Sequence, residues 1–165
     1  MTDTRAAVTL VPARWQHDRP LIERVRRAVF IEEQGVPEHE EWDDSDAVCW
    51  HVLALGPNRD AVGTGRLDPA GKIGRVAVLP QYRGTGVGAA IVSHLVGLAR
   101  KQGLAQVHLN AQTSALRFYE RLGFRAEGPE FDEVGIPHRR MRQRIENTDE
   151  QQVGRDGYTE HPVEP

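Results

Sequence analysis

Residues 73–103 constrain the fold of this chain more than any other stretch. An apolar run rich in β-branched residues (73–79) leads into a segment with three alternating glycines, and a helical run (89–102) follows. These glycines are Gly84, Gly86 and Gly88. A glycine-rich turn at a helix start presents unpaired backbone N–H groups at the positive end of the helix dipole. The pattern therefore predicts a strand–loop–helix unit that binds a phosphate-bearing ligand.

Two common phosphate motifs fit this loop poorly. A P-loop ends in Gly-Lys-Ser/Thr, whereas this loop continues from Gly88 to Ala89 without a lysine. A Rossmann G-x-G-x-x-A fingerprint matches, but residues 80–83 separate its first glycine from the strand. The next apolar run (105–109) also ends in Asn110 instead of the acidic residue that holds a ribose. A Rossmann-type dinucleotide-binding protein is therefore only a lesser alternative.

The loop carries a third motif, and this one resembles a known family. Residues 81–86 read Gln-Tyr-Arg-Gly-Thr-Gly, similar to the Q/R-x-x-G-x-G/A motif of the GNAT superfamily of N-acetyltransferases. Residues 118–124, Phe-Tyr-Glu-Arg-Leu-Gly-Phe, are typical of the GNAT helix and strand that come later. More narrowly, the chain resembles the ElaA-like or YjcF-like branch, through Val-Phe-x-x-Glu-Gln at 29–34 and Gly-Ile-Pro-His at 135–138.

The resemblance implies an α+β fold: a mixed, mostly antiparallel central sheet, flanked by helices and splayed between the strands at 73–79 and 105–109. Acetyl-CoA would be the acyl donor, with its pyrophosphate on the loop amides and its pantetheine arm in the splayed region. The cofactor-binding residues implied in this way are Val76, Ala77, Val78, Arg83, Gly84, Thr85, Gly86, Val87, Gly88 and Asn110.

The resemblance also implies direct attack of a neutral primary amine on the thioester carbonyl. Tyr119 occupies the family's usual acid position, and a tyrosine with a pKa of about 10 is protonated at neutral pH. Phe30, Glu33 and His138 are expected on the acceptor side, and Glu32, Glu33 or His138 could take the amine's proton. A non-catalytic module that binds acetyl-CoA is the alternative, and the presence of Tyr119 favours the enzyme.

An acidic segment, residues 38–46, contains six carboxylates. It is interpreted either as a solvated surface loop or as an electronegative mouth that attracts a cationic amine. The sequence leaves both interpretations open, and it does not identify the acceptor, which is expected to be a small-molecule or peptide amine.

Length, composition and charge predict the domain organisation and exclude some kinds of binding partner. The length of 165 residues predicts one domain (1–145), with an acidic, flexible tail at 146–165. That tail holds six acids and one base, which leaves 20 bases and 18 acids elsewhere and no nucleic-acid footprint. The single cysteine, Cys49, is expected to be a small buried hydrophobe. No metal-ligand spacing, signal peptide or membrane-spanning run is present, so we expect a cytoplasmic monomer or homodimer.

The pattern of apolar residues and turn residues also predicts where the strands and helices lie. It places strands at 7–11, 48–55, 61–67, 73–79 and 105–109, strand pieces at 124–127 and 131–134, and an edge strand at 139–145. A first helix, at 19–33, is predicted to be capped by Asp18, with Pro20 in its first turn. A later helix, ending at Leu122, is predicted to be capped by Thr113 or Ser114.

Overall fold

The computed structural model describes residues 7–146, which form two antiparallel sheets with helices packed against them. The strands are β1 (Thr9–Ala13), β2 (Trp50–Leu55), β3 (Ala61–Leu67), β4 (Ile73–Val78), β5 (Gln106–Gln112), β6 (Arg125–Glu133) and β7 (Ile136–Arg144). The helices are α1 (Trp15–Arg26), which continues as a π-helical turn (Arg27–Glu33), α2 (Glu38–Glu41), α3 (Val87–Lys101) and α4 (Leu116–Arg121). Short 3-10 turns lie at Asp44–Val48, Pro80–Tyr82 and Thr113–Ala115.

The strand order confirms the predicted fold class. The first sheet has the order β1-β2-β3-β4 and the second has the order β5-β7-β6, and every pairing within them is antiparallel. A Rossmann fold requires a mostly parallel sheet with helices on both faces. The dinucleotide-binding alternative is therefore wrong.

The two sheets meet along β4 and β5. At the start of these strands one isolated parallel bridge pairs Lys72 with His108, and the His108 N–H donates to the Gly71 carbonyl at 3.0 Å. Within residues 7–146 no ladder continues along the two strands. They therefore form the sides of an open split, as predicted, which runs toward Val78 on one side and Gln112 on the other.

Close packing of α3 on the first sheet holds the segment that precedes this helix in place. Ile91 and Leu95 of α3 are fully buried. They rest on two glycines of β3: a Cβ at Gly63 would lie 2.9 Å from Ile91 Cδ1, and one at Gly65 would lie 2.8 Å from Ile91 Cγ2. Because real Cβ atoms do not approach this closely, both positions require glycine for the helix to sit at its observed depth.

The position of the last strand differs from the prediction. β7 lies between β5 and β6, so the expectation of an edge strand at 139–145 is wrong. A central strand can carry several arginines, because an antiparallel sheet commonly leaves one face exposed while the other packs on the core. Met141 is fully buried on the core-facing side of β7, whereas Arg140 and Arg142 are exposed.

Three local predictions about where elements begin are also wrong. α1 begins at Trp15, and Asp18 accepts a hydrogen bond from the Arg14 N–H at 2.8 Å from inside the first turn, so it is not the N-cap. Pro20 consequently lies inside the helix. Neither Thr113 nor Ser114 caps α4, whose N-cap is Ala115 without a side-chain hydrogen bond.

Two further boundaries shift for simple reasons. Pro12 does not end the first strand but lies within β1, and an edge strand tolerates a proline because one side needs no N–H donor. Val48 belongs to a 3-10 turn, so β2 begins at Trp50. No helix within residues 7–146 is long and apolar enough to cross a membrane. Apart from Glu146, the predicted tail lies outside the described residues.

Candidate active site

The phosphate loop, residues 83–88, has the backbone geometry that an anion site needs. Gly84 and Gly86 have φ values of 73° and 90°, in the left-handed region that side chains disfavour. Gly86 is the N-cap of α3, and the first hydrogen bond inside this helix runs from the Ala90 N–H to the Gly86 carbonyl at 3.0 Å. The N–H groups of Val87, Gly88 and Ala89 therefore have no partner within the helix and remain available to an anion.

The surroundings of the loop leave room for a ligand. A Cβ placed at Gly84 or Gly86 would meet no atom within 4 Å, so open space lies beside the backbone. Gly88 differs, because its Cβ would lie 3.3 Å from the ring of Phe118. The Thr85 hydroxyl donates to the Tyr82 carbonyl at 2.5 Å and thereby steadies the turn.

Arg83, predicted to bind the cofactor, forms hydrogen bonds with other groups of the protein in this structure. Its Nε donates to the Val78 carbonyl at 2.9 Å, and its Nη1 and Nη2 donate to the two carboxylate oxygens of Glu33 at 2.6 and 2.5 Å. Hydrogen bonding from Arg83 lowers the pKa of Glu33. The structure thus places Glu33, predicted on the acceptor side, in an ion pair with the phosphate loop and not on the cavity wall described below.

A β-bulge interrupts β4 where it borders the split. In the register with β3, Arg75 and Val76 together face Gly65, and Arg75 has a left-handed φ of 50°. A bulge leaves its extra residue outside the ladder and re-aims neighbouring backbone groups and side chains. The bulge could not be predicted from the sequence, since nothing in the local pattern shows which strand carries an extra residue.

A cavity of about 450 Å³ runs along the split. Its lining includes Val76 of β4, Asn110 of β5 and Tyr119 of α4. Phe30 of the π-helical turn and His138 of β7 complete the predicted residues on its walls. The structure therefore brings these five predicted residues, from five separate elements, to one cavity of the size that small ligands occupy.

The side chains of two other predicted residues lie away from the cavity. Ala77 is buried in the core that α1 covers, and Val78 contributes its carbonyl to Arg83. Neither residue lines the cavity, so the predicted contact of both with the cofactor stays a prediction.

Tyr119 is half-buried and held by two other aromatic rings. The rings of Phe118 and Phe124 contact it edge to face, with centroid distances of 4.9 and 5.8 Å. Burial raises the pKa of Tyr119 to about 12, so the phenol is protonated at neutral pH. Within the described part of the chain its hydroxyl has no hydrogen-bond partner, and it is therefore free to donate to a ligand in the cavity.

His138 is held in one tautomer by a backbone carbonyl. Its Nδ1 donates to the Ile136 carbonyl at 2.6 Å, which leaves Nε2 as the unprotonated nitrogen of the neutral ring. The ring also stacks on Phe131 at 6.0 Å, and Nε2 lies 3.5 Å from a carboxylate oxygen of Glu133. Glu133 was not among the predicted residues, and only the hairpin that joins β6 to β7 brings it here.

The acidic segment is largely neutralised by arginines. Arg26, 1% exposed, donates to Glu41 at 2.7 Å and to Asp46 at 2.6 Å. Arg66 donates to Asp46 at 2.7 Å and to both carboxylate oxygens of Asp43 at 2.9 Å, and this lowers the pKa of Asp43 to about 2. The solvated-loop interpretation is therefore wrong for the buried Glu41 and Asp46, and the paired charges weaken the electronegative-mouth interpretation.

Cys49 also lies on the cavity wall and is only partly buried, so the expectation that it is simply a buried hydrophobe is wrong. Burial is the main cause that raises its pKa to about 11. The thiol is thus protonated at neutral pH, whereas a nucleophilic cysteine needs the thiolate form.

Comparison with known proteins decides the family. Residues 32–145 match the model of the acetyltransferase (GNAT) domain. The chain belongs to the GNAT acetyltransferase family. It is 39% identical to the uncharacterized N-acetyltransferase YjcF of Bacillus subtilis over 121 residues, which cover 71% of this chain and 86% of YjcF. The predicted resemblance to the YjcF-like branch is confirmed.

Two solved GNAT structures agree with this assignment. Escherichia coli ElaA matches with a TM-score of 0.74 at 25% identity, covering 82% of this chain and 99% of ElaA. An acyl-CoA N-acyltransferase from Pseudomonas aeruginosa matches with a TM-score of 0.73 at 26% identity, covering 82% of this chain and 99% of its own. The protein is an N-acetyltransferase with the GNAT fold, as predicted.

Proposed function

We propose that this GNAT protein transfers an acetyl group from acetyl-CoA directly to a primary amine of a small molecule or peptide. One observation carries the proposal: the free N–H groups at the start of α3 lie next to the end of β4, where a Cβ at Gly88 would be 3.7 Å from Val78, and the cavity in the split beside β4 is lined by a protonated Tyr119 whose hydroxyl has no partner among residues 7–146. The similarity to an acyl-CoA N-acyltransferase supports a coenzyme A thioester as donor.

In this proposal the backbone binds most of the cofactor. The pyrophosphate lies on the amides of residues 83–89, with Thr85 as part of the turn, and the pantetheine arm extends between β4 and β5. The bulge at Arg75 and Val76 supports a backbone donor for the thioester carbonyl, because it frees N–H groups from the ladder at this point. Asn110, on the opposite wall, would contact the arm from β5.

The reaction then needs three proton transfers. The neutral amine nitrogen attacks the thioester carbonyl carbon, the C–S bond breaks and the departing sulfur takes up the phenolic proton of Tyr119. The nitrogen of the new amide bond gives its extra proton back to the Tyr119 oxygen, which restores the phenol. His138 accepts a proton from the incoming ammonium group through Nε2, because its Nδ1–H is already committed to Ile136. Glu133 stabilises the doubly protonated ring, which then has an acceptor at each nitrogen.

Two measurements test this function. Calorimetry should detect binding of acetyl-CoA but not of NAD, and a thiol-trapping assay against a panel of amines should detect release of free coenzyme A. A protein that binds acetyl-CoA but releases no thiol with any amine would instead be a non-catalytic binding module. Tight NAD binding without a response to acetyl-CoA would contradict both.

A further inference from the structure

Two consecutive residues at the end of the π-helical turn reach opposite sides of the split. Glu33 pairs with Arg83, which follows β4, while Gln34 accepts a hydrogen bond of 2.9 Å from the side-chain amide of Gln112, at the end of β5. These two contacts lie at the open end of the split, away from the Lys72 bridge. We name residues 27–34, which make them, the acceptor-side turn.

The π-helical geometry fixes the direction of this turn. The Gln34 N–H donates to the Val29 carbonyl at 3.1 Å, five residues back, and the Val36 N–H donates to the Phe30 carbonyl at 2.9 Å. π-helical turns occur frequently at functional sites. Here the turn keeps Phe30 on the cavity wall while the side chains of Glu33 and Gln34 extend to the two sides of the split.

Neither contact is needed to hold the fold together. The Glu33–Arg83 pair is exposed, at 38% and 42%, and an exposed ion pair contributes about 0–1 kcal/mol. Packing of the buried Ile22, Val25 and Val29 already attaches this part of the chain to the first sheet. The two contacts therefore bear on where the turn lies relative to the split more than on whether it folds.

We propose that Glu33 and Gln34 are positioning residues that hold the acceptor-side turn at a fixed distance from both sides of the cofactor split. The inference rests on the proposed function, since only a bound thioester gives that distance a catalytic meaning. It also gives a physical role to Glu33 and Gln34, the last two residues of the Val-Phe-x-x-Glu-Gln motif, which take no part in the proposed proton transfers.

Kinetics should separate positioning from cofactor binding. In Glu33→Gln the ion pair is lost, but the amides of the phosphate loop and the charge of Arg83 remain. We expect kcat/KM for the amine to fall about three- to fivefold, the worth of one such pair, with no weakening of acetyl-CoA binding. The matched control is Glu23→Gln, which removes a similar Arg–Glu pair on the same helix, with Arg19, and should leave both values unchanged.

A mutant cycle should separate positioning from direct contact with the amine. Both Gln34 and Gln112 line the cavity, so either could act on the acceptor independently. If their mutual hydrogen bond is what matters, Gln34→Leu, Gln112→Leu and the double variant should lose kcat/KM equally, by about fivefold. Gln34→Glu retains an acceptor oxygen for Gln112 and should recover most of that loss.

Hydrogen exchange gives a readout that needs no amine. In the native protein acetyl-CoA should slow amide exchange in the phosphate loop and also in residues 27–34. In a Glu33→Gln/Gln34→Leu variant only the loop should respond. Loop protection without any response of the turn in the native protein would overturn the positioning role and leave the proposed function standing. Absence of acetyl-CoA binding would overturn both.

Discussion

The phosphate loop and the arginine–carboxylate network around the acidic segment are built by different physical means. In the loop, left-handed glycines and the free N–H groups of a helix start create the site, so its chemistry lies in the backbone. In the network, charged side chains from distant parts of the chain hold one another, as Arg26 holds Glu41 and Asp46 and as Arg66 holds Asp43. The comparison teaches that a backbone site is encoded locally, whereas a side-chain network is encoded by the whole fold.

The substitution with the largest expected effect disrupts the backbone of the phosphate loop. Gly86→Val puts a β-branched side chain at a φ of 90°, which costs about 1–2 kcal/mol in strain and forces the helix start to rearrange. Acetyl-CoA binding should then disappear from a calorimetric titration. Gly97→Ala is the control, because this position of α3 has open space and no positive φ. Normal binding by Gly86→Val would show that the loop is not the phosphate site.

The substitution with the next largest expected effect disrupts the arginine–carboxylate network. Arg26→Met removes the buried cation that Glu41 and Asp46 share. Each carboxylate keeps one other arginine, Arg75 for Glu41 and Arg66 for Asp46, so the loss of stability should be at the lower end of the range for a broken buried pair, about 3 kcal/mol. Arg27→Met, one residue on, removes an exposed pair with Glu38 and a contact with the Trp42 ring, and should cost about 1 kcal/mol. Urea unfolding of the two variants measures the difference, and equal stabilities would mean that the buried pairs contribute nothing beyond a surface pair.

These two regions also show how far sequence reasoning extends. The strand, the glycines and the helix start at residues 73–103 follow from local backbone preferences, and the structure confirms that order, with the helix beginning at Val87 instead of Ala89. The pairing of Arg26 and Arg66 with the acidic segment could not be predicted, because these residues lie 15 to 23 positions from their partners. The central place of β7 and the bulge in β4 likewise depend on strand pairing, which leaves no local signal.

The third prediction concerns Tyr119, which lines the cavity and is the proposed proton donor to the departing thiolate. Tyr119→Phe removes the proton donor but keeps the ring and its contacts with Phe118 and Phe124, so kcat should fall by about a hundredfold while acetyl-CoA affinity is retained. Because burial raises the pKa of Tyr119 to about 12, the acid is present below that pH and the native enzyme should lose no activity through its titration up to about pH 10. Tyr82→Phe serves as the control. An unchanged kcat, measured where chemistry limits the rate, would remove Tyr119 from the mechanism.

The smallest expected effect concerns the acidic segment. Among its six carboxylates, Glu40 and Asp44 have no arginine partner in the described part of the chain, while the other four are paired. Charges neutralised at contact distance produce little field beyond the Debye length of about 10 Å at 0.1 M salt. Glu40→Gln combined with Asp44→Asn should therefore change kcat/KM for a cationic amine by less than about twofold, and so should added salt. A tenfold loss in both measurements would instead show that these two carboxylates attract the acceptor, despite the neutralised network beside them.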